Sequence, residues 1–403
     1  MKILVVVAGG LHIGYLGCYG NEWVVTENLD RLAAEAVVFD QHIAVDPDPS
    51  AARRAWHSGR YDLPLLDQDQ PAQLDAPCGY LKPHGVAVEV CAEPPAAREA
   101  AGDSLKRRLA NISRSLDKLM RQERWLLHTD ITCLRPPWNV PQELLNMYDE
   151  PANDASDGPE GCAEENDFFI RQRQYAAAVT QFDEWVGQLC GELERRALRE
   201  DVLLVLTTDS GQSLGEHTLL WPSWSQLHEE VVHIPLIFRL PEREQAGRRV
   251  LALTQTVDLL PTLCDLFGMA PPLTHGCSLV PLLQGKIGPV RHYACAGLRS
   301  AGKAEWVLRT PEWSFHLPVQ PPAGGAGRRP LLYVKPDDRW EVNDVRHHYH
   351  GWSERLEQTL QAFVAATRGP EPFQPPRLPA FMTGEETPAQ KPDPDSPEKG
   401  REP

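Results

Sequence analysis

The sequence predicts an α/β fold: a mostly parallel sheet between helices, followed by a smaller C-terminal α+β subdomain. Three observations carry it. "KILVVVA" at residues 2–8 and "VLLVL" at 202–206 are near-continuous apolar runs of the kind a strand buried on both faces requires. Between them, Tyr175, Val179, Phe182, Val186, Leu189 and Leu193 recur at helical spacing over 171–198 and make one apolar stripe. From residue 290 to 340, short strand-like runs alternate with turns, as an antiparallel sheet would.

The elements follow in order. The first strand ends in Gly9 and Gly10 and feeds a loop. "TENLDRLAAEAVVF" predicts a helix capped by Thr26 or Asn28, with Leu29, Leu32 and Ala33 on one face. A strand is expected at 125–129, and an exposed acidic loop between Tyr148 and Asp167. The strand in "DVLLVLTTDSG" presents Asp209 and Ser210 at its C-terminal end, where parallel α/β sheets bind ligands. "LTQTVDLLPTLCDLFGM" reads as an amphipathic helix, and "WSERLEQTLQAFVAATR" closes the fold with another. From Gly369 onward ten of 35 residues are Pro, which predicts a disordered tail over 369–403. The expected division is 1–283, 284–368 and that tail.

Composition narrows the function. A formal net charge of -16 argues against nucleic-acid binding, because phosphate backbones are held by clustered Lys and Arg. Nine cysteines without a CxxC pair read as reduced thiols rather than a disulfide framework or a zinc site. The opening apolar run is too short for the core of a signal peptide and no run approaches a membrane span, so the expectation is a cytoplasmic protein without membrane contact.

One stretch, "AVDPDPSAARRAWHSGRY" at 44–61, sits where a strand hands over to a helix and is dense in Pro, Asp and Arg. It has no Cys, and only Ser50 and Ser58 as possible nucleophiles. Together with "LGCYG", "TENLDRLAAEAVVF", "RPPWNVPQELLNMYD", "TTDSGQSLGEH", "HIPLIFRLP", "QTVDLLPTLCDLFG", "HGCSLVPLLQG" and "LYVKPDDRWEVND", it forms an ordered series over about residues 3–365 that resembles the sulfatase family of the alkaline phosphatase-like superfamily. The resemblance implies an α/β/α sandwich. It also implies a Cys or Ser nucleophile converted to formylglycine, and calcium held by an Asp-Asp pair after the first strand and by Asp with His or Asn after the later one. Oxygen ligands of this kind suit a hard cation.

Position by position, the chain departs from that pattern. The Asp-Asp pair falls on Gly9 and Gly10, and the later pair on Asp209 and Ser210, so one carboxylate survives. Counting back from "SGR", the nucleophile falls on Pro49, which has no nucleophilic atom, and the motif Arg on Arg53. The histidine of the family's substrate loop falls on Arg135. Ser50 is out of register for catalysis and reads as the cap of a helix over Ala51–His57. Glu216 and His217 match positions beside the family's pocket, and Arg53, Arg54 and Arg60 are candidates to line an anion site or to pair with surface acids. The expectation is a pseudoenzyme with a remnant pocket of Pro49, Ser50, Arg53 and His217, no metal at Gly9, Gly10, Asp209 and Ser210, no other cofactor, and an anionic small molecule as ligand. Two alternatives stay open: an active sulfuric-ester hydrolase, and a serine esterase. The latter rests on "GQSLG", which fits G-x-S-x-G with Ser213 as nucleophile and Asp258 and His275 following in order.

Overall fold

The structure, a computed structural model, describes residues 1–63, 79–91, 101–149, 163–218, 226–286, 288–300, 303–319, 328–379 and 382. In chain order the elements are β1 (Lys2–Ala8), α1 (Glu27–Ala34), β2 (Val37–Ile43), α2 (Pro49–Ser58), β3 (Ala87–Cys91), α3 (Ala101–Leu119), β4 (Trp125–Ile131), α4 (Gln142–Asn146) and α5 (Ala163–Arg195). Next come β5 (Val202–Thr207), α6 (Glu229–Val232), β6 (His233–Arg239), β7 (Arg248–Val250), β8 (Thr254–Gln255), α7 (Leu259–Leu266) and α8 (Val280–Leu283). The chain then forms β9 (Ala294–Ser300), β10 (Lys303–Arg309), β11 (Trp313–Val319), β12 (Leu331–Val334) and α9 (His350–Ala366).

The main sheet runs β3-β4-β1-β5-β6-β2-β7, with β8 also on β2. Only β6 is reversed, pairing antiparallel with β5 and β2; the other pairings are parallel. The expected mostly parallel sheet is therefore present. Strand alternation sorts the core into two layers. Leu4, Val6 and Ala8 of β1 pack with α1, α3 and α5, whereas Ile3, Val5 and Val7 pack with Trp56 of α2 and with α7 and α8. The result is an α/β/α sandwich. The second sheet, β12-β11-β10-β9, is wholly antiparallel and carries α9 on one side. The two sheets meet through Ile43, Leu227, Val232, Ala294, Leu298 and Val307.

The structure corrects several local expectations. Thr26 occupies the N-cap position of α1 without a side-chain cap bond; Asp183 of α5 instead accepts from the Asn28 and Leu29 N–H groups at 3.2 and 2.7 Å. A carboxylate from a packed neighbour does the work that sequence reasoning assigns to a local hydroxyl. Helix α5 starts at Ala163 rather than at 171, because an acidic run suits a helix N-terminus as well as it suits a loop. The rest of the expected acidic loop, 150–162, lies outside the described residues. The segment expected as one amphipathic helix divides: Thr254–Gln255 joins the sheet, and a 3-10 turn closed by a Gln255/Asp258 capping box leads into α7.

The expected disordered tail is corrected over 369–379. Phe373 packs on Tyr61, His275 and Phe363, Tyr293 Oη donates to the Pro376 carbonyl at 2.7 Å, and Leu378 is buried. Two apolar side chains in an otherwise polar segment suffice to dock it. Most of the remaining tail lies outside the described residues. No helix among the described residues is long and apolar enough to cross a membrane.

Candidate functional site

The parallel register places the C-terminal ends of β1, β4 and β5 side by side, with Val7 opposite both Asp130 and Thr207. Strand β2 runs in the same sense, so α2 follows from the same edge. Gly9, Asp130, Arg135, Asp209 and the entry of α2 are thus neighbours at one rim, as α/β topology dictates for binding sites.

The loop after β1 is held tightly. Gly9 N–H donates to the Ile131 carbonyl at 2.8 Å, while Tyr175 Oη donates to the Gly10 carbonyl and accepts from His12 N–H, both at 2.7 Å. Gly10 has φ +85°, which a side chain would strain. Above these glycines lies Arg135. Its Nη2 donates to Asp209 Oδ2 at 2.7 Å, and Asp209 Oδ1 accepts from Ser210 N–H at 2.9 Å. A Cβ built at Gly9 would meet Arg135 Nε at 3.0 Å and Asp209 Oδ1 at 3.3 Å, and one at Gly10 would meet Gln212 Oε1 at 2.9 Å. The guanidinium therefore fills the space that side chains at 9 and 10 would enter. Arg135 Nε, Ser210 Oγ and both amide atoms of Gln212 are buried without a hydrogen-bond partner among the described residues.

At the α2 entry the cap is Asp48, not Ser50. Its Oδ1 accepts from the Ser50 and Ala51 N–H groups at 3.0 and 2.9 Å, with Pro49 at the first helical position, where its fixed φ and missing N–H cost nothing. Ser50 is exposed. Arg53 reaches back to Asp130 at 3.5 Å, and His128 Nε2 lies 3.3 Å from the same carboxylate oxygen. Burial pushes the Asp130 carboxyl upward, but the hydrogen bond and charge of His128 with the Arg53 guanidinium outweigh it and hold its pKa below the usual range. Arg53 Nε is buried and unpartnered. Arg54 pairs with Asp62 and Arg60 with Glu371, the surface-acid role weighed for them.

His217 stacks on His228 with ring centroids 3.8 Å apart, and its Nε2 lies 3.9 Å from Glu230 Oε2. Burial raises Glu230 to about 8. The esterase constellation does not assemble. Ser213 Oγ donates to Glu216 at 3.4 Å, and Gly211 and Gln212 pair with the Val231 and Glu230 carbonyls rather than forming a strand-to-helix elbow. Asp258 is bonded to Arg291, Gln255 N–H and Cys277 N–H, and the ring nitrogens of His275 face Tyr61 N–H and Glu371.

Sequence reasoning missed a buried cluster of His228, Glu229, Glu305, Arg309, His316, Lys335 and Glu341 between the two sheets. Its signal was present: Glu305 and His316 stand within apolar strands, where an ionisable side chain demands a partner.

Comparison with known proteins agrees with this fold. Residues 81–269 match the sequence profile of the sulfatase family. The chain is 36% identical over 115 residues to an N-acetylglucosamine-6-O-sulfatase of Bacteroides thetaiotaomicron, a stretch covering 28% of this chain and 20% of that protein. It spans about a tenth to a third of the length of the curated relatives it matches. Among solved structures, it superposes on a phosphonate monoester hydrolase of Agrobacterium radiobacter with a TM-score of 0.73 at 19% identity, covering 91% of this chain and 96% of that one. It superposes equally on a protein solved with its substrate D-glucosamine-2-N,6-O-disulfate, with a TM-score of 0.74 at 17% identity over 93% of this chain and 99% of that one. The profile spans the central strands β4, β5 and β6, and the architecture is shared nearly end to end with these neighbours; the segment 81–269 belongs to the sulfatase family, and the chain around it carries the fold of those neighbours.

Proposed function

We propose that this sulfatase-family chain is a non-catalytic member that uses the remnant pocket at the sheet rim to bind an anionic small molecule. The observation that carries the reading is the Arg135–Asp209 pair above Gly9 and Gly10. Calcium takes six to eight oxygens. Here the matching positions offer one carboxylate, already bonded to a guanidinium and to the Ser210 N–H. That donor set does not fit the family's cation; a fixed positive charge stands in its place. Pro49, at the position matching the nucleophile, supplies no atom that can attack sulfur.

The ligand class follows from donors that lack acceptors. The Nε–H groups of Arg53 and Arg135 are buried, unpartnered and on the same rim. A sulfate or phosphate oxygen accepts well from such charged donors. Because one structural neighbour was solved with a sulfated glucosamine, sulfated sugars are the natural first probe. The acidic net charge of -16 speaks against nucleic acid as the partner. A cytoplasmic location is part of the same reading, from the nine cysteines without a CxxC pair in the sequence.

The test is thermal unfolding and calorimetric titration with D-glucosamine-2-N,6-O-disulfate beside unsulfated glucosamine, with released sulfate measured by ion chromatography. The reading expects stabilisation by the sulfated sugar alone, with no sulfate released. Calcium-dependent sulfate release lost in Asp209→Ala would establish the active hydrolase instead.

A further inference from the structure

The seam between the two sheets holds a second constellation, which adjoins the rim through the His217–His228 stack but uses other residues. His228 precedes α6, His316 lies in β11 and Glu341 follows β12. His228 Nδ1 is 3.0 Å and His316 Nε2 3.2 Å from the same oxygen, Glu341 Oε2, and all three donor atoms lie within 4.8 Å of one another. The three side chains are essentially excluded from water. A tetrahedral zinc bound at about 2.0–2.2 Å places its ligand atoms roughly 3.3 Å apart, so two of the three edges already have the required length.

The surroundings are organised as those of a metal site are. The far ring nitrogen of each histidine faces an acceptor, with His228 Nε2 3.1 Å from Gln226 Oε1 and His316 Nδ1 3.5 Å from Glu305 Oε1. The His228 contact fixes the tautomer that turns its Nδ1 lone pair inward, and the longer His316 approach favours the same orientation. The remaining Glu341 oxygen takes Lys335 Nζ at 3.1 Å. Glu341 itself sits in the left-handed region at φ 60°, a conformation that is unfavourable for a non-glycine residue and persists where something holds it. Ser314 Oγ, 3.2 Å from His316 Nε2, stands near the open fourth position.

The network is loosely closed. His316 Nδ1 and Glu305 Oε1, both buried, approach each other only to 3.5 Å, beyond ordinary hydrogen-bond length. Moreover, among the described residues Glu229, Glu305 and Glu341 face two permanent cations, Lys335 and Arg309, so a further positive charge at the two histidines completes the balance. Two imidazoles and a carboxylate are donors that zinc takes, and the burial of all three keeps bulk water from them.

We propose that His228, His316 and Glu341 form a structural zinc site that pins the C-terminal sheet to the main sheet. It draws on none of the residues invoked for ligand binding at the rim. The test is elemental analysis of the full chain, expressed in zinc-supplemented medium and purified without metal-affinity resin, followed by cobalt reconstitution. The expected result is about one zinc per chain, the visible absorption of tetrahedral cobalt, and an unfolding midpoint that chelator lowers and zinc restores. His316→Gln and Glu341→Gln should lose the metal and Asp209→Asn should keep it. If the variants do not fold, the cobalt spectrum and chelator response of the unaltered chain decide. A folded chain that takes up no zinc on dialysis would overturn the proposal and leave a proton on His316 to close the network. Metal lost with Asp209 would overturn it too, by placing the ion at the rim.

Discussion

Replacing Arg135 with Met keeps most of the aliphatic stem and removes the charge, leaving Asp209 buried opposite no cation. The Asp209 side chain is 2% exposed and Arg135 17%, so water reaches the guanidinium end of the pair but not the carboxylate. Removing one partner of a buried ion pair costs about 3–5 kcal/mol, and the partial exposure puts this site near the lower figure, about 3 kcal/mol. Asp209→Asn leaves the more accessible partner, which can hydrate, and should cost about 1–2 kcal/mol. If the two groups act as a pair, the double variant should fall short of the summed single losses by about 1 kcal/mol or more, because neither charge is then left stranded. Urea unfolding of the four proteins measures this, and the difference should survive moderate salt, since buried pairs are weakly screened. Additive losses, or a cost below about 1 kcal/mol for Arg135→Met, would show that Arg135 does not neutralise Asp209, and the argument from a built-in cation would fail.

Three further outcomes follow from the same geometry. Millimolar calcium should leave the unfolding midpoint unchanged, whereas a site occupied at a hundred-fold excess over Kd would add about 2.7 kcal/mol; a rise abolished by Asp209→Ala would restore the metal site. Pro49→Cys should release no sulfate from an aryl sulfate, since a thiol there still meets no cation to stabilise the ester oxygens; turnover above that of the unaltered protein contradicts this. Burial depresses His42, fully enclosed beside Thr254, from about 6.5 to about 3, so the folded state binds fewer protons than the unfolded one. Stability tied to this residue is whole above about pH 6.5 and falls as pH drops toward 3. His42→Asn should make the acid limb of the stability curve shallower by up to one proton, and an unchanged slope would refute the assignment.

What could be read from sequence, and what could not, follows from how far each cause acts along the chain. Buried strands announce themselves by local apolar runs, so β1 and β5, and with them the rim carrying Gly9 and Asp209, are legible directly. The α2 entry is nearly legible: Asp48 and Ser50 are both good caps, and Pro49, favoured at the first helical position, is the local sign that the cap precedes it. The cap of α1 is not, because Asp183 lies 154 residues from the N–H of Leu29 that it satisfies. The zinc-like constellation has the same character, with His228 and Glu341 separated by 113 residues. No period or motif connects such partners; only the docking of the second sheet does.

Arg135 shows why a site can be half legible. The resemblance places it where the family has a histidine, and spacing alone makes it one more cation near a pocket. Its reach decides its role, because the guanidinium extends far enough to meet Asp209, 74 residues on, and lies over Gly9 and Gly10. These features depend on one another physically. A side chain at Gly9 would press on Arg135 Nε at 3.0 Å, and one at Gly10 would require strained backbone at φ +85°. Conversely, without the guanidinium, Asp209 would be a buried carboxylate with one backbone donor and no counter-charge. Restoring Asp at position 9 alone should therefore destabilise the chain, by crowding Arg135 and adding a second carboxylate to one guanidinium. Combined with Arg135→Met, it should instead create calcium-dependent stability that neither change produces singly. Calcium dependence in Gly9→Asp with Arg135 intact would show that the guanidinium moves aside, and that the rim is a cation site after all.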